Sequence, residues 1–133
     1  TYQMADAVAT LPIYSGGGLY AWKFTNISDG TGESAVLKID VSTLVNVQGL
    51  PGTQVEIQEI VWAIQGFTSV RLLWDGTTDQ VADLLCWCGA INYEAIGKLR
   101  PVSLTGNTGD LLLTTADATS GATYDITIKF KLQ

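Results

Sequence analysis

An all-β fold is predicted by three observations in this sequence: a single-domain antiparallel β-sandwich, jelly-roll-like or immunoglobulin-like, with an extended N-terminal arm. Apolar and polar residues alternate with period 2 in run after run. Turn chemistry separates the runs at short intervals, and helical spacing is almost absent. The chain has 133 residues, 47% of them apolar and 15% charged, which suits one domain with ample material for a core.

Residues 1–19 hold Pro12 and the run Gly16-Gly17-Gly18 and lack sustained alternation. Yet Val8, Leu11, Ile13, Tyr14 and Leu19 are too apolar for a free tail. Two readings stay open: an edge strand folded back on its own sandwich, or an arm, residues 1–19, that docks on a neighbouring subunit with the glycines as hinge. The body, residues 20–133, opens on an aromatic strand through Tyr20, Trp22 and Phe24. Ala35, Leu37, Ile39 and Val41 then oppose Ser34, Lys38, Asp40 and Ser42, an apolar face against a polar one.

Val55 and Ile57 share one phase, and Ile60, Trp62 and Ile64 share the opposite one. A β-bulge or a strand boundary is expected between Gln58 and Glu59. Val70, Leu72 and Trp74 continue as a strand. Gln80–Trp87 is open between a short helix capped by Asp79 and an irregular strand. Leu111–Thr115 reads as a strand. The clearest case is the last, where Tyr124, Ile126, Ile128, Phe130 and Leu132 alternate with Asp125, Thr127, Lys129 and Lys131. Ser28-Asp29-Gly30-Thr31-Gly32, Gly49-Leu50-Pro51-Gly52, Trp74-Asp75-Gly76 and Thr105-Gly106-Asn107-Thr108-Gly109 carry the turn chemistry between the runs.

Composition narrows the function. Lys and Arg total 7 against 13 Asp and Glu, a net charge of −6, so no nucleic-acid partner is expected. No run approaches the roughly 20 apolar residues of a membrane-spanning helix, and no membrane association or secretory leader is expected. The chain has no histidine, which removes the serine triad and the commonest general base and metal ligand. Cys86 and Cys88 flank Trp87 and read as reduced, half-buried thiols; a zinc site would need two further ligands. Asp75, Asp79 and Asp83 read as turn and surface acids. Lys98 with Arg100, and Lys129 with Lys131, read as solvated strand faces. The expectation is a chain that is not an enzyme and binds no cofactor or metal. Among the 4 tryptophans, Trp22, Trp62 and Trp74 fall in phase with apolar neighbours and belong to the core. Any surface aromatic would suit a protein interface or a sugar ring.

The stretch Arg71-Leu72-Leu73-Trp74-Asp75-Gly76, then 93–99, then Thr108-Gly109-Asp110-Leu111-Leu112-Leu113-Thr114-Thr115, and the close Gly121-Ala122-Thr123-Tyr124-Asp125-Ile126-Thr127-Ile128 give residues 55–133 a distinctive texture. In these segments the chain resembles the head decoration, or cement, proteins of tailed bacteriophages and related small virion structural proteins. The resemblance implies a β-sandwich on the capsid exterior, assembled in the host cytoplasm, that binds the major capsid protein and forms a homo-oligomer, a dimer or trimer. It supplies no catalytic residues. A tail, fibre or minor capsid component, or a carbohydrate-binding β-sandwich module, is the alternative. The contact residues expected on the arm are Tyr2, Val8, Leu11, Ile13 and Tyr14.

Overall fold

The computed structural model describes residues 6–133. Among these the chain forms β1 (Ala7–Gly16), β2 (Leu19–Asp29), β3 (Val36–Ile39), β4 (Val55–Gln65), β5 (Ser69–Trp74), β6 (Gln80–Leu85), β7 (Cys88–Asn92), β8 (Leu111–Ala116) and β9 (Ser120–Leu132), with 3₁₀ turns at Val41–Thr43 and Glu94–Ile96. The strands make two antiparallel sheets, a five-stranded one ordered β1-β2-β9-β4-β7 and a four-stranded one ordered β3-β8-β5-β6. The all-β sandwich is as the alternation predicts.

The connectivity is that of a long hairpin folded over on itself. β5 turns back into β6, and from there β4 meets β7, β3 meets β8 and β2 meets β9. Successive legs of this hairpin fall in opposite sheets, which is jelly-roll topology and settles the choice against the immunoglobulin order. β9 lies at the centre of the larger sheet, paired to β2 on one side and β4 on the other. Its even-numbered side chains, Tyr124 to Leu132, are buried with Phe24, Trp74, Ile57, Ile60, Leu72, Leu111 and Leu113. Each such side chain stabilises the fold by about 1.5–3 kcal/mol.

The phase change at Gln58 is a bulge within one strand. β4 runs unbroken while its register against β9 shifts between Ile57 and Glu59. Gln80–Leu85 is the irregular strand and not the helix; it too carries a register shift, opposite Leu72 and Leu73. The pattern fails at β3. Its register against β8 shifts between Leu37 and Ile39, which leaves Leu37 exposed and draws Lys38 inward. The Lys38 and Glu33 side chains are only 6% and 5% exposed, with Nζ 2.6 Å from Oε2. Tyr124 donates its hydroxyl hydrogen to Glu33 Oε1, and the Asn26 amide donates to the same oxygen at 2.8 Å. Burial first, then the hydrogen bond and the charge of Glu33, push the Tyr124 phenol far above its ordinary range.

Leu37 and Ile39 differ in burial although simple alternation places them on one face. Ile39→Ala is therefore expected to cost about 2–5 kcal/mol and Leu37→Ala less than about 0.5 kcal/mol, measured as the shift in urea unfolding. Equal losses would mean that the bulge at Lys38 is absent.

Candidate interaction surface

The first strand is unlike the others because every residue of it from Ala7 to Ser15 is exposed. Its sequence, AVATLPIYSG, contains no charge. β1 pairs with β2 along its length and is one of the two outer strands of the larger sheet. The smaller sheet ends one strand short, so no strand lies opposite β1.

The hairpin turn is Gly17-Gly18, with φ of 62° and 79°, the signs a two-residue type I′ turn requires. A Cβ on Gly18 would stand 2.3 Å from the Val47 nitrogen, so this position excludes every other residue. The glycines thus make a tight turn that holds β1 against β2.

Both ends of β1 are fastened. At the end near the turn, the Trp22 indole N–H donates to Ser15 Oγ at 3.0 Å. At the other, the Asp6 carboxylate accepts from Asn26 Nδ2 at 2.9 Å, Ser28 Oγ at 2.8 Å, and the backbone N–H of Gly32 at 3.1 Å and of Asp29 at 3.3 Å. Burial alone would push the Asp6 carboxyl up, but these hydrogen bonds outweigh it and hold it below its usual value.

In β2 the even-numbered residues Tyr20, Phe24, Asn26 and Ser28 are buried, so the odd-numbered ones face outward. Leu11 pairs with Lys23 and Tyr14 with Ala21, which puts Leu11 and Tyr14 on that outer face beside exposed Leu19 and Ile27. Val8 pairs with Asn26 and projects on the opposite side, beyond the margin of the core. Ile13 is the extra residue where the register shifts between Pro12 and Tyr14. These four residues are between 47% and 58% exposed. Tyr2 lies outside the described residues.

Pro12 has no N–H to offer a neighbouring strand, and the shift beside it bends the edge. Both are devices that oppose indiscriminate strand addition. What remains free is the face of β1 rather than its edge.

Lys23, Lys129 and Lys131 stand on the same outer face, one strand or two from the apolar strip. The Lys98 amine is close to that of Lys131. That contact, then lost hydration and mutual repulsion, holds Lys98 below the ordinary lysine range. Lys98 and Arg100 are in the loop after the Glu94–Ile96 turn and not on a strand; only Leu99 between them bridges, to Ile57. The two cysteines are exposed and free, not half-buried, because they occupy the corner between β6 and β7. Trp74 is fully buried, Trp22 and Trp62 pack against the core from its margin, and Trp87 is 81% exposed.

Among the described residues, no three His, Cys, Asp or Glu side chains gather where a metal ion could be held, and no helix is long and apolar enough to cross a membrane. No family model matches the sequence, and no curated protein matches it. Among solved structures, FeII HppE is similar with a TM-score of 0.38 and 10% identity over 96% of this chain; the match spans 59% of that protein's chain. A likeness of that size does not extend to residues or chemistry.

Asp6 has a lowered folded value, so its contribution is complete above the unfolded value and is lost as pH falls through the folded one. At neutral pH, Asp6→Ala is expected to cost about 1.5 kcal/mol, the low end for hydrogen bonds to a charged group because the carboxylate is partly solvated. In urea unfolding, the gap between wild type and variant should close as pH drops below 3.8. A gap that widens in acid would contradict this assignment.

Proposed function

We propose that this chain is a non-enzymatic structural protein of a bacteriophage particle. It decorates the exterior of the head by binding the major capsid protein and further copies of itself. The observation that carries the reading is β1, an uncharged ten-residue strand that covers no core and offers Leu11, Ile13 and Tyr14 to solvent. Exposed apolar edge strands are usually guarded by charge or cut short. β1 is guarded at its edge by Pro12 but not on its faces, as suits a strand covered by another protein in an assembly.

Tyrosine is enriched among the residues that carry the contact energy of protein interfaces, and covering Leu11 and Ile13 adds apolar burial. Lys129 and Lys131 lie across from Glu59 and Glu56, and Lys23 pairs with Asp125, so the rim of the apolar strip is of mixed charge and favours a partner whose charges complement that pattern. Jelly rolls serve as capsid domains and as lectins among other roles, so the fold is compatible with this reading and the surface argues for it. The resemblance of residues 55–133 to cement proteins points the same way.

The double variant Leu11→Asp, Tyr14→Ala changes only exposed side chains, so its melting temperature is expected to stay within a few degrees of wild type. Its binding to heads that lack the protein, read by co-sedimentation, should weaken at least tenfold, about 1.4 kcal/mol. Unchanged binding would sink the reading. A protein found at only a few copies per particle by quantitative mass spectrometry would belong to the tail or a minor capsid position instead.

A further inference from the structure

A second feature of the outer face is independent of β1. Where the chain leaves the smaller sheet after Leu85 and enters the larger one at Cys88, Trp87 sits alone at the corner with φ of 60°. Left-handed backbone is disfavoured for a bulky L side chain, so the corner must be held. It is held from both sides by β4: the Cys86 carbonyl accepts from the Trp62 indole N–H at 3.0 Å, and the Trp87 carbonyl accepts from the Ile64 N–H. The backbone is fixed while the indole is almost wholly in water. An apolar surface of that size, presented by a constrained backbone, suits a contact that the monomer does not itself make.

Beside the indole lies a cleft of about 680 Å³ lined by Trp87, Phe67, Ala63, Gln65, Thr123 and Asp125 among others. That volume falls within the roughly 300–1,000 Å³ range of small-molecule sites. Its floor is made by β4 and β9; β9 is paired on both sides, to β2 and to β4, while β4 is paired to β7 only as far as Ala63. The lining residues of β9, Thr123 to Asp125, are laddered on both sides, and the Ile64 N–H is taken by the Trp87 carbonyl, so an occupant over them is met by side chains. Those side chains are an indole face, an apolar floor, and a margin of one carboxylate, one carboxamide and hydroxyls. Lys23 Nζ donates to Asp125 Oδ2 at 3.2 Å, and Oδ1 is the second acceptor of that carboxylate. None of the residues lining the cleft is cationic.

We infer that the Trp87 cleft binds a neutral saccharide. One face of a pyranose ring carries C–H groups that pack on the indole. Its hydroxyls at the ring edge both donate and accept, which Asp125, Gln65 and Thr123 can answer. A ligand with a carboxylate or phosphate would meet Asp125, whose neighbour Lys23 is already engaged by that carboxylate, and no lining cation remains to receive it.

The inference is tested on the full chain with an array of neutral and anionic oligosaccharides, followed by tryptophan-fluorescence titration with the neutral ones that bind. The expected result is saturable binding of at least one neutral glycan. That binding should weaken tenfold or more in Trp87→Ala and in Gln65→Ala. Because Trp87 is exposed, the melting temperature of Trp87→Ala should match wild type, and Gln65→Ala serves as the second reading if it does not. The Leu11→Asp, Tyr14→Ala variant should bind the glycan as wild type does, which separates this site from β1. No binding of any neutral glycan, binding of anionic glycans alone, or binding indifferent to both cleft variants would each overturn the inference. So would a Trp87→Ala variant whose loss is confined to protein association.

Discussion

Five strands face four in this sandwich, and the mismatch leaves β1 with no sheet opposite. A strand inside the sandwich gains from one buried face, which outweighs the entropy of ordering its residues. β1 has no such gain. It is held by its ladder to β2, by the Gly17-Gly18 turn and by the contacts at Asp6 and Ser15. Hydrogen bonds of this kind contribute modestly, about 1 kcal/mol each once exchange with water is counted. β1 therefore belongs to the least stable part of the fold, and a partner that covers Leu11, Ile13 and Tyr14 would supply the apolar burial that the monomer cannot.

Much of this was legible in the alternation, for a physical reason. Wherever a strand has one wet and one dry face, the period of 2 is written into the side chains. Residues 124–132 are such a case, and so is the phase change at Gln58, since an inserted residue flips every side chain beyond it. β3 shows the limit. Lys38 reads as outward and Leu37 as inward, because a pattern of polarity cannot register that Glu33, five positions earlier, waits in the interior to pair with the lysine. Burial of a charge is decided by its partner, and a partner that lies off the strand leaves no trace in the strand's alternation. The exposed corner at Trp87 was hidden for a related reason: its left-handed backbone is fixed by bonds from Trp62 and Ile64, more than twenty residues away. Alternation could show that β1 is apolar but not which of its sides had cover, since that depends on the width of the opposing sheet.

The buried polar cluster joins these observations. Tyr124 on the central strand donates to Glu33, the Asn26 amide bridges Glu33 and Asp6, and Asp6 begins the chain's entry into β1. The inner strand β9 thus sets the position of the outermost strand through side chains as well as through β2. A network of this sort is costly if any member is removed, because the remaining groups are left buried without partners. Its return is a defined orientation for a strand that packing alone would leave loose.

The same logic governs both features of the outer face. At β1 and at Trp87 the backbone is fastened by bonds to residues packed in or against the core, while the side chains that point outward touch little. Binding then orders few groups that were not already ordered, and the entropic cost of association falls accordingly. A loose arm carrying Leu11 and Tyr14 would reach further but would lose that advantage, because its backbone would have to be ordered at the moment of contact. The fastening at Asp6, Ser15 and Gly18 therefore means that a partner docking on β1 would meet it in the conformation already present, with reach given up in exchange for a preformed fit.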